Sequence, residues 1–94
     1  MEKVQILFAE DDTLTRLEVK EKMEEKGWEV IEAEDGIKAF ERYEDYKPSL
    51  VILDVDMPGR TGLEVLQLIR TRDQDTPVII YSSLTSEKDL LAGL

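Results

Sequence analysis

The segment Leu50-Val-Ile-Leu-Asp-Val-Asp-Met-Pro-Gly59 joins a short apolar run to an acidic turn. The apolar part has the length of a buried strand, and Asp54 stands where that strand ends. A second apolar run, residues 4–9, ends in the same way, in Glu10-Asp-Asp12. Carboxylates about 4 Å apart repel by roughly 4 kcal/mol at an effective dielectric constant of about 20, so such a cluster keeps a proton or recruits a metal. The two segments therefore predict a hard-cation site that contains a nucleophilic aspartate.

The composition limits both the chemistry and the partners of the chain. It has 94 residues, enough for one small domain, and it contains neither cysteine nor histidine. A divalent metal must then be held by oxygen, which favours magnesium, calcium or manganese. With 12 Lys and Arg against 22 Asp and Glu, the formal net charge of -10 argues against direct binding of nucleic acid or an anionic membrane. The apolar runs are far shorter than the roughly 20 residues that span a bilayer, so we expect a soluble cytoplasmic protein.

Strand and helix patterns alternate along the whole chain. Four apolar segments predict strands at residues 4–9, 29–33, 50–54 and 78–81. Capping patterns predict helices that begin at Asp12 or Thr13, at Asp35-Gly36, at Thr61 and at Ser86. The stripes expected to face the core are Leu14, Val19 and Met23; Ile37, Phe40, Tyr43 and Tyr46; and Leu63, Leu66 and Ile69. This alternation predicts a parallel sheet with helices on both faces.

The candidate site residues collect at one edge of the predicted sheet. In open parallel α/β sheets, ligands bind beyond the carboxyl ends of the strands. The residues at these ends are Glu10, Asp11, Asp54 and Ser82. Each alone has a simpler interpretation as a solvated strand end, a turn residue or a cap, and Asp12 is interpreted as a helix cap. Their joint placement favours a magnesium site.

The turn after the third strand leaves one ligand open. Asp56 could contribute its side chain, but Met57-Pro-Gly59 predicts a tight turn, so its backbone carbonyl is an equally good candidate. Pro58 is interpreted only as a turn former. Trp28, at the opposite end of the sheet from the carboxylates, is expected to be a packing residue.

With these residues the chain resembles, over essentially its whole length, the receiver domain of two-component response regulators. The matching segments are Ile6-Leu-Phe-Ala-Glu-Asp-Asp12 with Arg16, Gly27-Trp-Glu-Val30, Ala33-Glu-Asp-Gly36, Pro48-Ser-Leu-Val-Ile-Leu-Asp-Val-Asp-Met-Pro-Gly59, Thr61-Gly-Leu-Glu-Val-Leu66 and Pro77-Val-Ile-Ile-Tyr-Ser-Ser83. The resemblance implies a flavodoxin-like α/β fold with three layers, α/β/α, and strand order 2-1-3-4-5.

The resemblance also implies a role for each candidate residue. Asp54 would accept a phosphoryl group from a sensor histidine kinase or a phosphotransfer protein. Glu10 and Asp11 would be the acidic pair that binds Mg²⁺ together with Asp54, and position 56 would add its backbone carbonyl. Ser82 would be the switch residue that, with the fourth helix, passes the signal to an output domain or target protein outside this chain. Such a chain is a phosphoacceptor and not an enzyme.

The chain departs from the family pattern at its carboxyl end. The family continues with a fifth strand, a lysine followed by proline, an aromatic switch residue and a fifth helix, whereas Lys88 is the only lysine after Asp54. Loss of a charge-assisted contact of about 1.5–3 kcal/mol would slow phosphorylation by roughly 10–150-fold. We therefore expect residues 1–94 to be a C-terminally incomplete receiver domain. Its fourth strand would be an open edge through which the chain could self-associate.

Two other functions remain open. Asp54-Val-Asp56 resembles the Asp-x-Asp motif of haloacid-dehalogenase-like phosphohydrolases, in which one acid attacks and the second protonates. That family carries its motif on the first strand, whereas here it follows the third. The other possibility is a receiver-like interaction module that is never phosphorylated.

Overall fold

The computed structural model of the protein describes residues 3–82. Its elements are β1 (Gln5–Ala9), α1 (Thr13–Glu25), β2 (Glu29–Ala33), α2 (Gly36–Tyr46), β3 (Leu50–Asp54), α3 (Gly62–Arg70) and β4 (Val78–Tyr81). This confirms the predicted order of elements through β4, with β1 beginning one residue later than expected. The helix predicted from Ser86 lies outside the described residues. Within residues 3–82, no helix has the length and apolar character needed to cross a membrane.

The strands form one parallel sheet in the order β2-β1-β3-β4. This confirms the predicted order, with the most apolar strands, β1 and β3, at the centre, where both of their faces are covered. All four strands end at the same side of the sheet, which we call the carboxyl edge; the opposite side is the amino edge. Each helix of this part of the chain starts at the carboxyl edge and returns the chain to the amino edge.

Alternation along the strands divides the core between the two faces of the sheet. Leu7 and Leu53 point to the face covered by α2 and α3, whose buried residues there are Ala39, Tyr43, Val65 and Ile69. Phe8 and Ile52 point to the other face, where Val19 and Met23 of α1 cover them. Trp28 packs against this second cluster, as predicted. The result is the three-layer arrangement expected for a flavodoxin-like fold.

The predicted helix boundaries are confirmed by their caps. The Asp12 side chain accepts a hydrogen bond from the Thr15 amide and caps α1. Thr61 and Glu64 form the predicted capping box at the start of α3. Helix α1 ends at Glu25, and the chain turns away from it at Gly27, whose φ of 90° lies in a region that side-chain-bearing residues rarely adopt.

The predicted apolar stripes are wrong at several positions. Leu14 is 71% exposed and Leu63 is 54% exposed, and Ile37 and Tyr46 are each about half exposed. The buried face of α3 instead contains Val65 with Ile69. Each of the exposed residues lies in the first or last turn of its helix, and three-residue spacing alone does not distinguish these positions from the buried face.

Candidate phosphoacceptor site

Strand register places the central acidic residues side by side. Ala9 pairs with Leu53, so the next residue of β1, Glu10, continues the row toward Asp54 at the end of β3. Asp54 in turn pairs with Tyr81, the last residue of β4. Because side chains alternate with a period of two, Glu10 and Asp54 follow Phe8 and Ile52 onto the face covered by α1. Parallel pairing therefore converts two distant sequence segments into one site.

Three carboxylates converge at this point of the carboxyl edge. One carboxylate oxygen from each of Glu10, Asp11 and Asp54 lies within 4.8 Å of the other two, and we call these residues the acidic cluster. Asp54 is 1% exposed and Glu10 is 4% exposed, whereas Asp11 lies on the exposed rim. Hard divalent cations such as Mg²⁺ prefer carboxylate oxygens, so the donor set fits this class of metal. The cluster opens to solvent on the Asp11 side, where a cation could enter.

Burial makes the deprotonated forms of the two inner carboxylates costly. It raises the pKa of Asp54; the Asp56 amide, which donates to Oδ1 at 3.2 Å, opposes this rise, and the charge of Asp11 adds to it. Burial likewise raises the pKa of Glu10, against a hydrogen bond from the Tyr81 hydroxyl that lowers it. A bound cation would favour the ionised forms and remove this repulsion.

The structure places the remaining predicted residues beside the acidic cluster rather than in it. The Asp56 side chain is exposed and lies outside the group of convergent carboxylates, while its amide contacts Asp54. The exposed side chain leaves the backbone carbonyl as the better candidate ligand at this position. Ser82 is half-buried and directly follows β4, whose last residue, Tyr81, pairs with Asp54.

Close backbone contacts hold the turn after Asp54 in place. A Cβ atom on Gly62 would lie 2.3 Å from the carbonyl oxygen of Asp54, so only glycine permits α3 to start this close to the strand. The Gly62 amide donates to the carbonyl of Val55 at 3.0 Å, and Gly59 has a φ of 81°. This confirms the predicted turn and shows that Gly62 fixes the backbone next to the candidate nucleophile.

Sequence reasoning missed Tyr81 as a site residue and treated it only as the end of a strand. Its hydroxyl donates a hydrogen bond to Oε1 of Glu10, and its ring stacks on Phe8 with 6.0 Å between ring centroids. The available signal was strand parity: Ile79 and Tyr81 share a face, and the predicted strand order brings that face beside β3. Only the register reveals which carboxylate the hydroxyl reaches.

Comparisons with known proteins agree with this geometry. The response regulator receiver domain family matches residues 6–94. The transcriptional regulatory protein PdtaR of Mycobacterium tuberculosis is 38% identical over 87 residues, which are 92% of this chain but 42% of that protein. The chain therefore spans less than half the length of this relative.

Solved structures include close matches to the same architecture. The receiver domain of the Francisella response regulator 1452 superposes with a TM-score of 0.82 at 31% identity, covering 97% of this chain and 75% of that one. The response regulator TrrA of Thermotoga maritima, solved in complex with Mg²⁺-BeF, has a TM-score of 0.82 at 36% identity, covering 87% of this chain and 70% of that one. TrrA has also been solved with the histidine kinase ThkA. The family match, the sequence identities and the fold agree, and this chain belongs to the response regulator receiver domain family.

Proposed function

We propose that this chain is a phosphoacceptor that receives a phosphoryl group on Asp54, with Mg²⁺ held by Glu10, Asp11, Asp54 and the backbone carbonyl of Asp56. The observation that carries the proposal is a buried aspartate at the end of a central strand, in a cluster of three carboxylates within 4.8 Å of one another. Family membership supports the same assignment.

The chemistry asks for an ionised and oriented Asp54. The Asp56 amide donates to Oδ1, which fixes the carboxylate plane. In the transfer, an Asp54 oxygen forms a bond to phosphorus as the bond from phosphorus to the donor breaks, and the donor leaves with the bonding electron pair. Bound magnesium would supply neutralising charge for the phosphoryl oxygens. The chain itself positions the Asp54 carboxylate and provides three of the oxygens that would hold the metal.

Ser82 and the surface after β4 form the proposed switch. Val55, directly after the acceptor, donates its amide to the carbonyl of Tyr81 at 2.8 Å, so the acceptor turn and the end of β4 are joined. A phosphoryl group on Asp54 adds negative charge and acceptor oxygens next to this junction. The Ser82 hydroxyl would donate to it and draw the following segment toward the site.

The proposed partners follow from the chemistry and from the relatives. The donor is a sensor histidine kinase or a phosphotransfer protein, consistent with the solved complex of TrrA with a histidine kinase. The signal passes to an output domain or target protein, consistent with relatives more than twice as long as this chain. We propose a cytoplasmic location and no enzymatic turnover beyond self-phosphorylation and autodephosphorylation. Self-association through β4 stays a prediction, to be tested by sedimentation.

The proposal is tested by incubating the chain with Mg²⁺ and a small acyl phosphate, followed by intact-mass and peptide analysis. We expect addition of one phosphoryl group, located on Asp54, that disappears in Asp54→Asn and without Mg²⁺. Asp73→Asn is the matched control, because it removes a carboxylate at the amino edge and should leave phosphorylation intact. Sustained turnover of phosphate esters would instead identify a phosphohydrolase. A chain that accepts neither phosphoryl group nor beryllofluoride would be an interaction module.

A further inference from the structure

A tyrosine contacts Glu10, one of the two buried residues of the acidic cluster. Tyr81 is 8% exposed, and its ring stacks on Phe8 at an interplanar angle of 17°. This stacking directs the hydroxyl to Oε1 of Glu10, to which it donates a hydrogen bond. The contact joins residues 71 positions apart in sequence, and both partners are buried.

Both oxygens of the Glu10 carboxylate have a donor. Oε1 accepts from the Tyr81 hydroxyl, and Oε2 accepts from the Asp12 amide at 2.9 Å. A glutamate has one more rotatable bond than an aspartate, so a glutamate at this position needs more restraint to present its oxygens at a defined place. Each carboxylate oxygen can accept more than one bond, so a donor on one side leaves a lone pair for a metal on the other.

We propose that Tyr81 is a positioning residue for the metal site: its hydroxyl orients the Glu10 carboxylate toward Asp11 and Asp54 and thereby raises the affinity for Mg²⁺. The inference rests on the proposed function, since it concerns the metal that this function requires. Partners that hydrogen-bond to metal ligands fix ligand orientation, and their loss weakens metal binding by about 10–100-fold in characterised sites.

The chain contains a matched tyrosine that separates this role from ordinary packing. Tyr43 is also 8% exposed, stacks on a phenylalanine, Phe40, and donates its hydroxyl to a carboxylate, Asp73, at 2.8 Å. That pair lies at the amino edge, away from the acidic cluster. Removal of either hydroxyl deletes one hydrogen bond, which is buried for Tyr81 and part-buried for Tyr43, but of the two tyrosines only Tyr81 contacts a proposed metal ligand.

The test is the dissociation constant for Mg²⁺, measured by calorimetry on the full chain, with the unfolding midpoint as a second readout. Tyr81→Phe keeps the ring and should raise the Kd roughly tenfold. Tyr43→Phe should lower the unfolding midpoint and leave the Kd within about twofold of the original, as expected for a hydroxyl that only stabilises the fold. In a Glu10→Ala background, adding Tyr81→Phe should change the Kd no further, because the hydroxyl acts through Glu10.

The outcomes separate this inference from the proposed function. An unchanged Kd in Tyr81→Phe, with magnesium bound by the original chain, overturns the role of Tyr81 alone. Equal rises in Kd for Tyr81→Phe and Tyr43→Phe overturn it as well, since the effect would then be general loosening. If the original chain binds no magnesium, the proposed function fails and the inference falls with it. The Glu10→Ala, Tyr81→Phe double variant removes donor and acceptor together, so the test remains available if Tyr81→Phe does not fold.

Discussion

The two edges of the sheet contain the same pair of groups in opposite electrostatic settings. At the amino edge, Asp73 accepts hydrogen bonds from the Thr76 hydroxyl and amide, from the Tyr43 hydroxyl and from the Asp75 amide. These donors, led by the Thr76 hydroxyl, hold the pKa of Asp73 well below its usual range. Burial and the Asp73 contact raise the pKa of Tyr43 to about 12.

At the carboxyl edge a tyrosine again donates to a carboxylate, but the net shift in the pKa of that carboxylate is upward. Burial raises the pKa of Glu10 in spite of the Tyr81 hydroxyl, and it raises the pKa of Asp54 as well. The difference lies in the surroundings: Asp73 is surrounded by donors, whereas Glu10 and Asp54 are buried beside another carboxylate. The amino edge stabilises the charge of its carboxylate within the chain, whereas the carboxyl edge holds carboxylates whose charge a proton or a bound cation would neutralise.

This contrast separates a carboxylate that caps a turn from the carboxylates of the proposed metal site. A loop aspartate that caps its own turn contributes to the fold and needs no ligand. A cluster of carboxylates that destabilises the metal-free protein is typical of a functional site, because stability and function compete at such positions. The direction of the pKa shift therefore distinguishes the two places: the pKa is raised for Glu10 and Asp54 and lowered for Asp73.

The largest expected effect concerns the backbone contact under Asp54. In Gly62→Ala, the new Cβ would lie 2.3 Å from the Asp54 carbonyl oxygen, and that backbone must shift. We expect a loss of about 3 kcal/mol in the free energy of unfolding, measured by urea denaturation. At the amino edge, Gly27→Ala meets no atom within 4 Å and suffers only from its φ of 90°, so a loss of about 1 kcal/mol is expected. Equal losses would contradict the claim that close approach, and not glycine conformation, governs the carboxyl edge.

The next effect is a gain of stability on replacing Asp54, the proposed phosphoacceptor. A raised folded-state pKa means that Asp54 contributes stability below its unfolded-state pKa of about 3.9, which is lost as pH rises through the folded-state value. In magnesium-free buffer at neutral pH, Asp54→Asn should therefore raise the free energy of unfolding, and the gain should shrink as the pH is lowered. Saturating magnesium should reverse the sign. Chemical denaturation from pH 4 to pH 7.5, with and without Mg²⁺, provides the measurement.

Asp73→Asn should show the opposite dependence on pH. The lowered pKa means that Asp73 stabilises the fold above its unfolded-state pKa, and that this stability is lost as pH falls through the folded-state value. The substitution should destabilise the protein at neutral pH, and the difference from the original chain should narrow in acid. Magnesium should not affect that difference. Parallel pH profiles for Asp54→Asn and Asp73→Asn would refute the contrast between the two edges.

The smallest effects concern ion pairs on the protein surface. Glu32, on the carboxyl side of β2, accepts from Arg16 at 3.2 Å and from Lys20 at 3.0 Å in a half-buried network, so Glu32→Gln should cost about 0.5–1 kcal/mol. Glu44 pairs with Arg72 at the exposed amino edge, and Glu44→Gln should change the free energy of unfolding by less than about 0.5 kcal/mol. Thermal unfolding of Glu32→Gln and Glu44→Gln at low and high salt measures the two effects. A larger effect at Glu44 would show that exposed pairs carry more stability than their solvation suggests.

Much of the fold was predictable because local patterns and global topology agree. The run at residues 50–54 has the length of a strand, ends in an aspartate and is followed by residues that favour a turn. Thr61 with Glu64 then marks the start of the next helix. Parallel strands in alternation with helices then imply that acids at strand ends share one edge. The helix stripes were less predictable, because Leu14 and Leu63 have the right spacing but are exposed in the first turn of their helices.

The sequence by itself determined the alternation of elements, the strand order through family resemblance, and the carboxylates Glu10, Asp11 and Asp54 as the candidate site. Tertiary structure decided which groups touch them, because strand register is a property of paired chains and not of one segment. It brought the Tyr81 hydroxyl onto Glu10, placed the Gly62 backbone against Asp54, and raised the pKa of the inner acids through burial. The sequence specifies which residues carry a carboxylate. The charge state of each carboxylate depends on the tertiary structure, because folding removes water from it and brings other groups next to it.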